Sequence, residues 1–154
     1  RGMRTKLGLA AASPDDGDTD DHDVALVDDY LALLHEHGID YTRSFRTLAA
    51  RLRDGSAPSP LPDGGAAWLE RWHTRVGSGD PVVIADAMDR VNPLYIPRNH
   101  LVEEALAAAT AGDLRQFEQL VDAVTDPFVE RPGLERHAEP GPSDFGRYRT
   151  FCGT

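Results

Sequence analysis

Apolar residues along this chain recur at three- and four-residue intervals, the spacing of helices with one buried face. Over residues 20–37, Val24, Val27, Leu31 and Leu34 share such a face, widened by Leu26, Tyr30 and Leu33. Thr19 or Asp20 can cap its start, and Gly38 offers a left-handed stop. Tyr41, Phe45, Leu48 and Leu52 then repeat at i, i+4, i+7 and i+11, which predicts a second helix ending by Gly55. Leu69, Trp72 and Val76 mark a short third helix. A fourth follows, with Asp80 as cap, Pro81 in its first turn, and Ile84, Ala87, Met88 and Val91 facing inward.

Beyond the turn-rich block 92–99, Leu101, Val102, Ala105, Leu106 and Ala109 define another helix that Gly112 ends. Asp113 caps its successor, which carries Leu114, Phe117, Leu120, Val121 and Val124. This hairpin is expected to anchor the core, with Leu101, Leu106, Phe117, Leu120 and Val121 buried. At the other end, Met3, Leu7 and Leu9 allow a helix within residues 1–12, broken at Ser13-Pro14. Residues 56–65 hold three prolines and two glycines and read as an exposed connection. The last 28 residues hold four prolines and little periodicity. The expected organisation is therefore an all-α domain over residues 1–126 and an extended tail, 127–154, that wraps a folded partner or stays disordered.

Length adds that the 154 residues suffice for a usable core. No apolar run approaches the roughly 20 residues of a membrane span, so the expectation is a soluble, cytoplasmic bacterial protein. A net charge of −10 argues against nucleic-acid binding, which needs clustered cations. Of the 16 cations only Lys6 is a lysine, a bias better explained by a GC-rich genome than by any function of guanidinium groups. A single cysteine, Cys152, excludes a disulfide within the sequence and a cysteine-built zinc site.

Candidate chemistry is sparse. The acidic run 15–23 misses the glycine and the terminal glutamate of a calcium loop in either register, so helix capping and solvation read better. His35 and His37 are two apart and do not share a helical face; His22, His73, His100 and His137 are scattered without ligand spacing. Trp68 and Trp72 are four apart and read as core. Arg98 and Asn99 open a helix where an anion could bind. The preferred reading is structural, with Asn99 as cap and Arg98 tied to a carboxylate. No phosphate loop, nucleophile elbow, zinc-protease motif or kinase-like metal constellation is present in the sequence, so no catalytic, cofactor-binding or metal-binding residue is assigned.

Four segments, in order, resemble the selenoprotein O-like (YdiU-type) family. Residues 3–9, MRTKLGL, are similar to its M-x-x-K-L-G-L segment, and residues 40–48, DYTRSFRTL, to its D-[YF]-T-x-x-F-R-x-L helix. Residues 92–99, NPLYIPRN, resemble N-P-K-Y-I-L-R-N, with Leu94 and Pro97 departing from it, and residues 105–128 follow A-x-x-A-x-x-G-D through to P-F. The resemblance implies the C-terminal region of a kinase-like protein adenylyltransferase, which moves AMP from ATP to Ser, Thr or Tyr hydroxyls with magnesium. ATP and metal would be held upstream. The implied partners are that upstream kinase-like domain and the parent's protein substrates, with neither nucleic acid nor membrane among them. Cys152 matches the family's terminal cysteine or selenocysteine, which is implicated in redox control through a cysteine in the kinase-like domain. Here the residue three before it is Arg149, so a local Cys-x-x-Cys pair is absent and a distant partner or no disulfide remains. Two other readings stay open. The alanine-rich segment 105–114 with its following helix also suits a helical-repeat binding module, though no second copy is visible, and the piece could be purely structural.

Overall fold

The computed structural model describes residues 2–9 and 17–142, and among these every regular element is helical. The order is α1 (Gly2–Lys6), α2 (Gly17–Glu36), α3 (Tyr41–Arg53), a 3-10 turn at Asp63–Gly65, α4 (Ala66–Val76), α5 (Pro81–Asp89), α6 (Asn99–Thr110), α7 (Arg115–Thr125) and α8 (Glu135–Ala138). The all-α expectation holds. No helix among the described residues is long and apolar enough to cross a membrane. The chain forms two compact units, Arg1–Pro93 and Leu94–Thr154.

Local chemistry sets the helix ends of the first unit. The Asp40 carboxylate accepts from the Arg43 amide at 2.7 Å, and Asp80 accepts from the Val82 amide at 2.9 Å, each supplying an acceptor to an otherwise orphaned amide. Pro81 follows in the first turn of α5, where its missing N–H costs nothing. Helix α1 closes on Gly8, whose φ of 70° suits only glycine. A Cβ there would also lie 2.8 Å from Ile84 Cγ2 and 2.9 Å from Met88 Sδ, so the small residue lets this turn sit on α5.

The core of the first unit is aromatic. Trp72, Tyr30, Phe45, Leu7, Leu48 and Met88 are fully enclosed. Tyr30 stacks on Trp68 at 4.5 Å between centroids and meets Phe45 edge-on at 5.3 Å, while Trp68 and Trp72 stack at 5.9 Å. Each indole N–H finds a carbonyl, Trp68 donating to Leu26 O and Trp72 to Leu7 O, both at 2.8 Å. The two tryptophans are core, as their spacing predicts. Two faces differ from expectation. On α2 the buried positions are Asp23, Leu26, Val27, Tyr30 and Leu34, whereas Val24 is exposed. The face is turned because Asp23 is drawn inward by two arginines. On α5, Ala85 and Met88 are buried and Ala87 is exposed. The proline-rich connection also contributes to the core: Leu61 is buried and seated against Gly65, and Ala57 O accepts from Arg51 at 2.6 Å.

In the second unit α6 and α7 pack as the expected hairpin, with Leu101, Ala105 and Leu120 enclosed between them. Leu106, Phe117 and Val121 are exposed, which corrects the expectation that they are core. Amphipathic spacing identifies an apolar face without saying that anything covers it, and the largest core lies in the first unit. Leu114, rather than Asp113, takes the N-cap position of α7; Asp113 accepts from the Arg115 amide at 3.1 Å and clasps its guanidinium at 2.7 Å. The stretch from Pro127 folds back on its own unit. Pro127 O accepts from the Leu94 and Tyr95 amides at 2.7 and 3.2 Å, and Tyr95 Oη accepts from the Arg131 amide at 2.9 Å. Arg131 itself reaches the end of α7, donating to Asp122 O, Asp122 Oδ2 and Ala123 O.

Candidate functional site

The motif segments of the first unit converge on Asn92. This side chain is buried just beyond α5, and its two ends are occupied differently. Nδ2 donates to Lys6 O at 2.9 Å and to Met88 O at 3.0 Å, while Oδ1 accepts from Lys6 Nζ at 3.2 Å. Lys6 and Asn92 thus hold each other reciprocally across 86 positions of sequence. Lys6 Nζ also donates to Val91 O at 3.3 Å and lies 5.5 Å from the Phe45 ring centroid. Loss of water around the ammonium holds its pKa below that of a free lysine. Arg46, from α3, completes the junction: it donates to Asp89 O at 3.1 Å and to Asn92 O at 3.4 Å, and lies 3.3 Å from Asp89 Oδ1. At the end of α5, Asp89 O is met by Arg46, and Met88 O by Asn92 Nδ2 together with the Val91 and Asn92 amides.

A second ionic cluster ties α1, α2 and α4. The Asp23 carboxylate is wholly buried and accepts from Arg75 Nε and Nη2 at 2.6 and 2.9 Å, with Arg4 Nε at 3.0 Å. The fork geometry matches a carboxylate to a guanidinium on two atoms at once. Residues 17–23 of the acidic run lie inside α2, which begins at Gly17, rather than before it as expected; Asp15 and Asp16 lie outside the described residues.

Both clusters are built of paired charges and hydrogen bonds, though the buried Asp89 Oδ1 has the Arg46 guanidinium at 3.3 Å and no hydrogen-bond partner. Their carboxylates face arginines, their amide and ammonium donors face carbonyls, and neither presents a nucleophile beside a base. Among the described residues no group of three or more His, Cys, Asp or Glu side chains stands together as metal ligands.

The remaining predicted positions separate. His22, His35, His37 and His73 are exposed, with the His73 ring 4.9 Å from that of Trp72. His100 and His137 are buried in the second unit, and desolvation lowers both pKa values. Arg98, rather than Asn99, takes the N-cap position of α6: its carbonyl accepts from the Val102 amide at 3.0 Å, and its side chain makes no capping bond. Asn99 is an exposed first-turn residue. Cys152 lies outside the described residues. Sequence reasoning missed Asn92, Arg46, Asp23 and Arg75 as a group. The available signal was that Lys6, Arg46 and Asn92 all fall within the segments carrying the family resemblance.

Comparison with known proteins agrees with that resemblance. The family model described as "Protein adenylyltransferase SelO" matches residues 1–125. The protein nucleotidyltransferase YdiU of Mycolicibacterium paratuberculosis is 55% identical over 161 residues, covering 99% of this chain and 30% of the relative. Relatives of the same name from Mycolicibacterium smegmatis and Sphingopyxis alaskensis are 53% and 45% identical, covering 29% and 31% of their own lengths. The chain thus spans about three-tenths of the curated relatives it matches.

Proposed function

Because the chain belongs to the SelO family, we propose that it is the C-terminal region of a bacterial, cytoplasmic protein adenylyltransferase, a structural and regulatory part without the catalytic site. The observation that carries this reading is a match across 99% of the chain that accounts for only 30% of the relative. The parent would transfer AMP from ATP to Ser, Thr or Tyr hydroxyls of other proteins. On this reading a kinase-like domain elsewhere in the parent binds ATP and magnesium. The first unit contributes a helical body in which Lys6, Arg46 and Asn92 of the family-like segments form one junction. Cys152 would supply the terminal thiol of redox control, paired with a cysteine outside this chain. The helical-repeat alternative has one hairpin, α6–α7, and no further observation in its favour.

The test compares this chain with the full-length parent. Magnesium–ATP should raise the melting temperature of the parent and leave that of this chain unchanged, since stabilisation requires binding to the native state. The parent should also transfer labelled AMP to protein. A parent that does neither, or a shift seen with this chain alone, overturns the reading.

A further inference from the structure

Helix α7 has more apolar surface than α6 covers. At 100° per residue, Leu120 and Val124 point toward the hairpin seam, Ala123 packs with Tyr95 and Leu134, and Leu114, Phe117 and Val121 form the stripe adjoining the seam. These three are 53%, 44% and 44% exposed, and Leu106 on α6 is 50% exposed. Single exposed leucines need no explanation, but a continuous i, i+3, i+7 stripe does. The imbalance extends through the second unit. Among the described residues its two apolar clusters bury Tyr95, Ala123 and Leu134, and Leu101, Ala105 and Leu120. The side of the stripe away from Leu120 is edged by Glu118 and Asp122, the latter bound to Arg131 at 2.9 Å.

We propose that the Leu114–Phe117–Val121 stripe of α7 docks on the part of the parent polypeptide that lies outside this chain, against an apolar surface edged by a cation facing Glu118. The proposal rests on the reading above, that this is one region of a longer adenylyltransferase. Two arguments choose this occupant. Relatives extend well beyond the matched stretch, which is 30% of their length. A second copy of this chain is disfavoured, because each carries a net charge of −10 and a two-fold contact would set acidic edges together. The occupant must have the opposite character at its rim, and that pairing gives the contact its orientation.

The experiment uses the full-length parent with Cys152→Ser, comparing alkylation of thiols introduced by Phe117→Cys and by Val129→Cys, the latter 56% exposed and outside the stripe. Rates are read by peptide mass spectrometry, with Leu114→Cys as a second stripe position should Phe117→Cys fail to fold. The stripe thiols should react about tenfold more slowly than the reference, since thiol reactivity follows exposure. Equal rates overturn the proposal. Protection that appears only as protein concentration and light-scattering mass rise together assigns the stripe to a second copy and also overturns it. AMP transfer measured on the same samples separates the two claims. Transfer with unprotected stripe thiols sinks the docking alone, and protection without transfer upholds docking while sinking the enzymatic reading.

Discussion

Asp23 shows how much a single side chain carries in this fold. Its carboxylate has no exposure, whereas Arg4 and Arg75 keep 19% and 25% of theirs. Asp23→Ala would leave two guanidinium groups facing an apolar cavity, a loss of about 3–5 kcal/mol for a broken buried pair. Partial exposure of the arginines puts the expected value at the low end. The measurement is the urea midpoint, with Asp29→Ala as comparison. Asp29 and Arg71 meet at 2.6 Å but are half exposed, so that loss should stay below about 1 kcal/mol. Asn92→Ala belongs to the same series: it strands the Lys6 carbonyl, at about 1–3 kcal/mol for a buried group left unsatisfied, while Met88 O keeps the Val91 and Asn92 amides. Neither residue was legible as structural glue in the sequence. Asp23 read as one more solvated acid in a run, because its partner Arg75 lies 52 positions away and periodicity reports only near neighbours. The Lys6–Asn92 clasp is equally non-local. Only the presence of both in family-like segments marked them.

Among elements, what the sequence determined locally came through, and what depended on neighbours did not. Asp80, Pro81 and Gly112 act within a few residues of themselves, so those helix ends were readable, whereas the start of α2 and the cap of α6 were not. Which apolar residues are covered depends on the partner element, and there α7 misled. Phe45 and Phe117 make the contrast measurable. Phe45 is 1% exposed and has edge-on aromatic neighbours in Tyr30 and Tyr41 at 5.3 and 5.0 Å. Phe45→Ala should cost about 3–5 kcal/mol, the range for deleting an enclosed ring. Phe117→Ala in this chain should cost less than about 1 kcal/mol, as for other changes at exposed positions. Thermal or urea unfolding of the two variants decides; a large loss at Phe117 would place its ring in a core.

For the molecule as a whole, two compact units of unequal interior imply unequal resistance to acid. The first unit is held by stacked indoles, a phenol and the Asp23 and Asn92 clusters. The second has two small clusters, yet it buries His100 and His137, whereas His73 of the first unit, whose pKa is lowered by desolvation and by the Arg51 charge, is an exposed residue. Desolvation is the leading cause that lowers both imidazole pKa values; for His137 the nearby Arg136 charge adds to it, and for His100 Glu104 pulls partly the other way. The unfolded chain therefore binds protons near pH 6.5 that the folded unit refuses. The stability contributed by these neutral rings is complete above the unfolded pKa and is lost as pH falls toward the depressed folded values. Asp113 acts in the same direction but much lower: Arg115 holds its pKa near about 2, so its contribution fades only below the ordinary carboxylate range. Lowering pH from 7 to 5 should then raise amide exchange in residues 94–142 while the 1–93 unit stays protected. His137→Gln should flatten that dependence, because it removes the titrating ring while keeping a polar side chain. Equal acid sensitivity of both units, or a profile unchanged in His137→Gln, would assign the pH response to other groups.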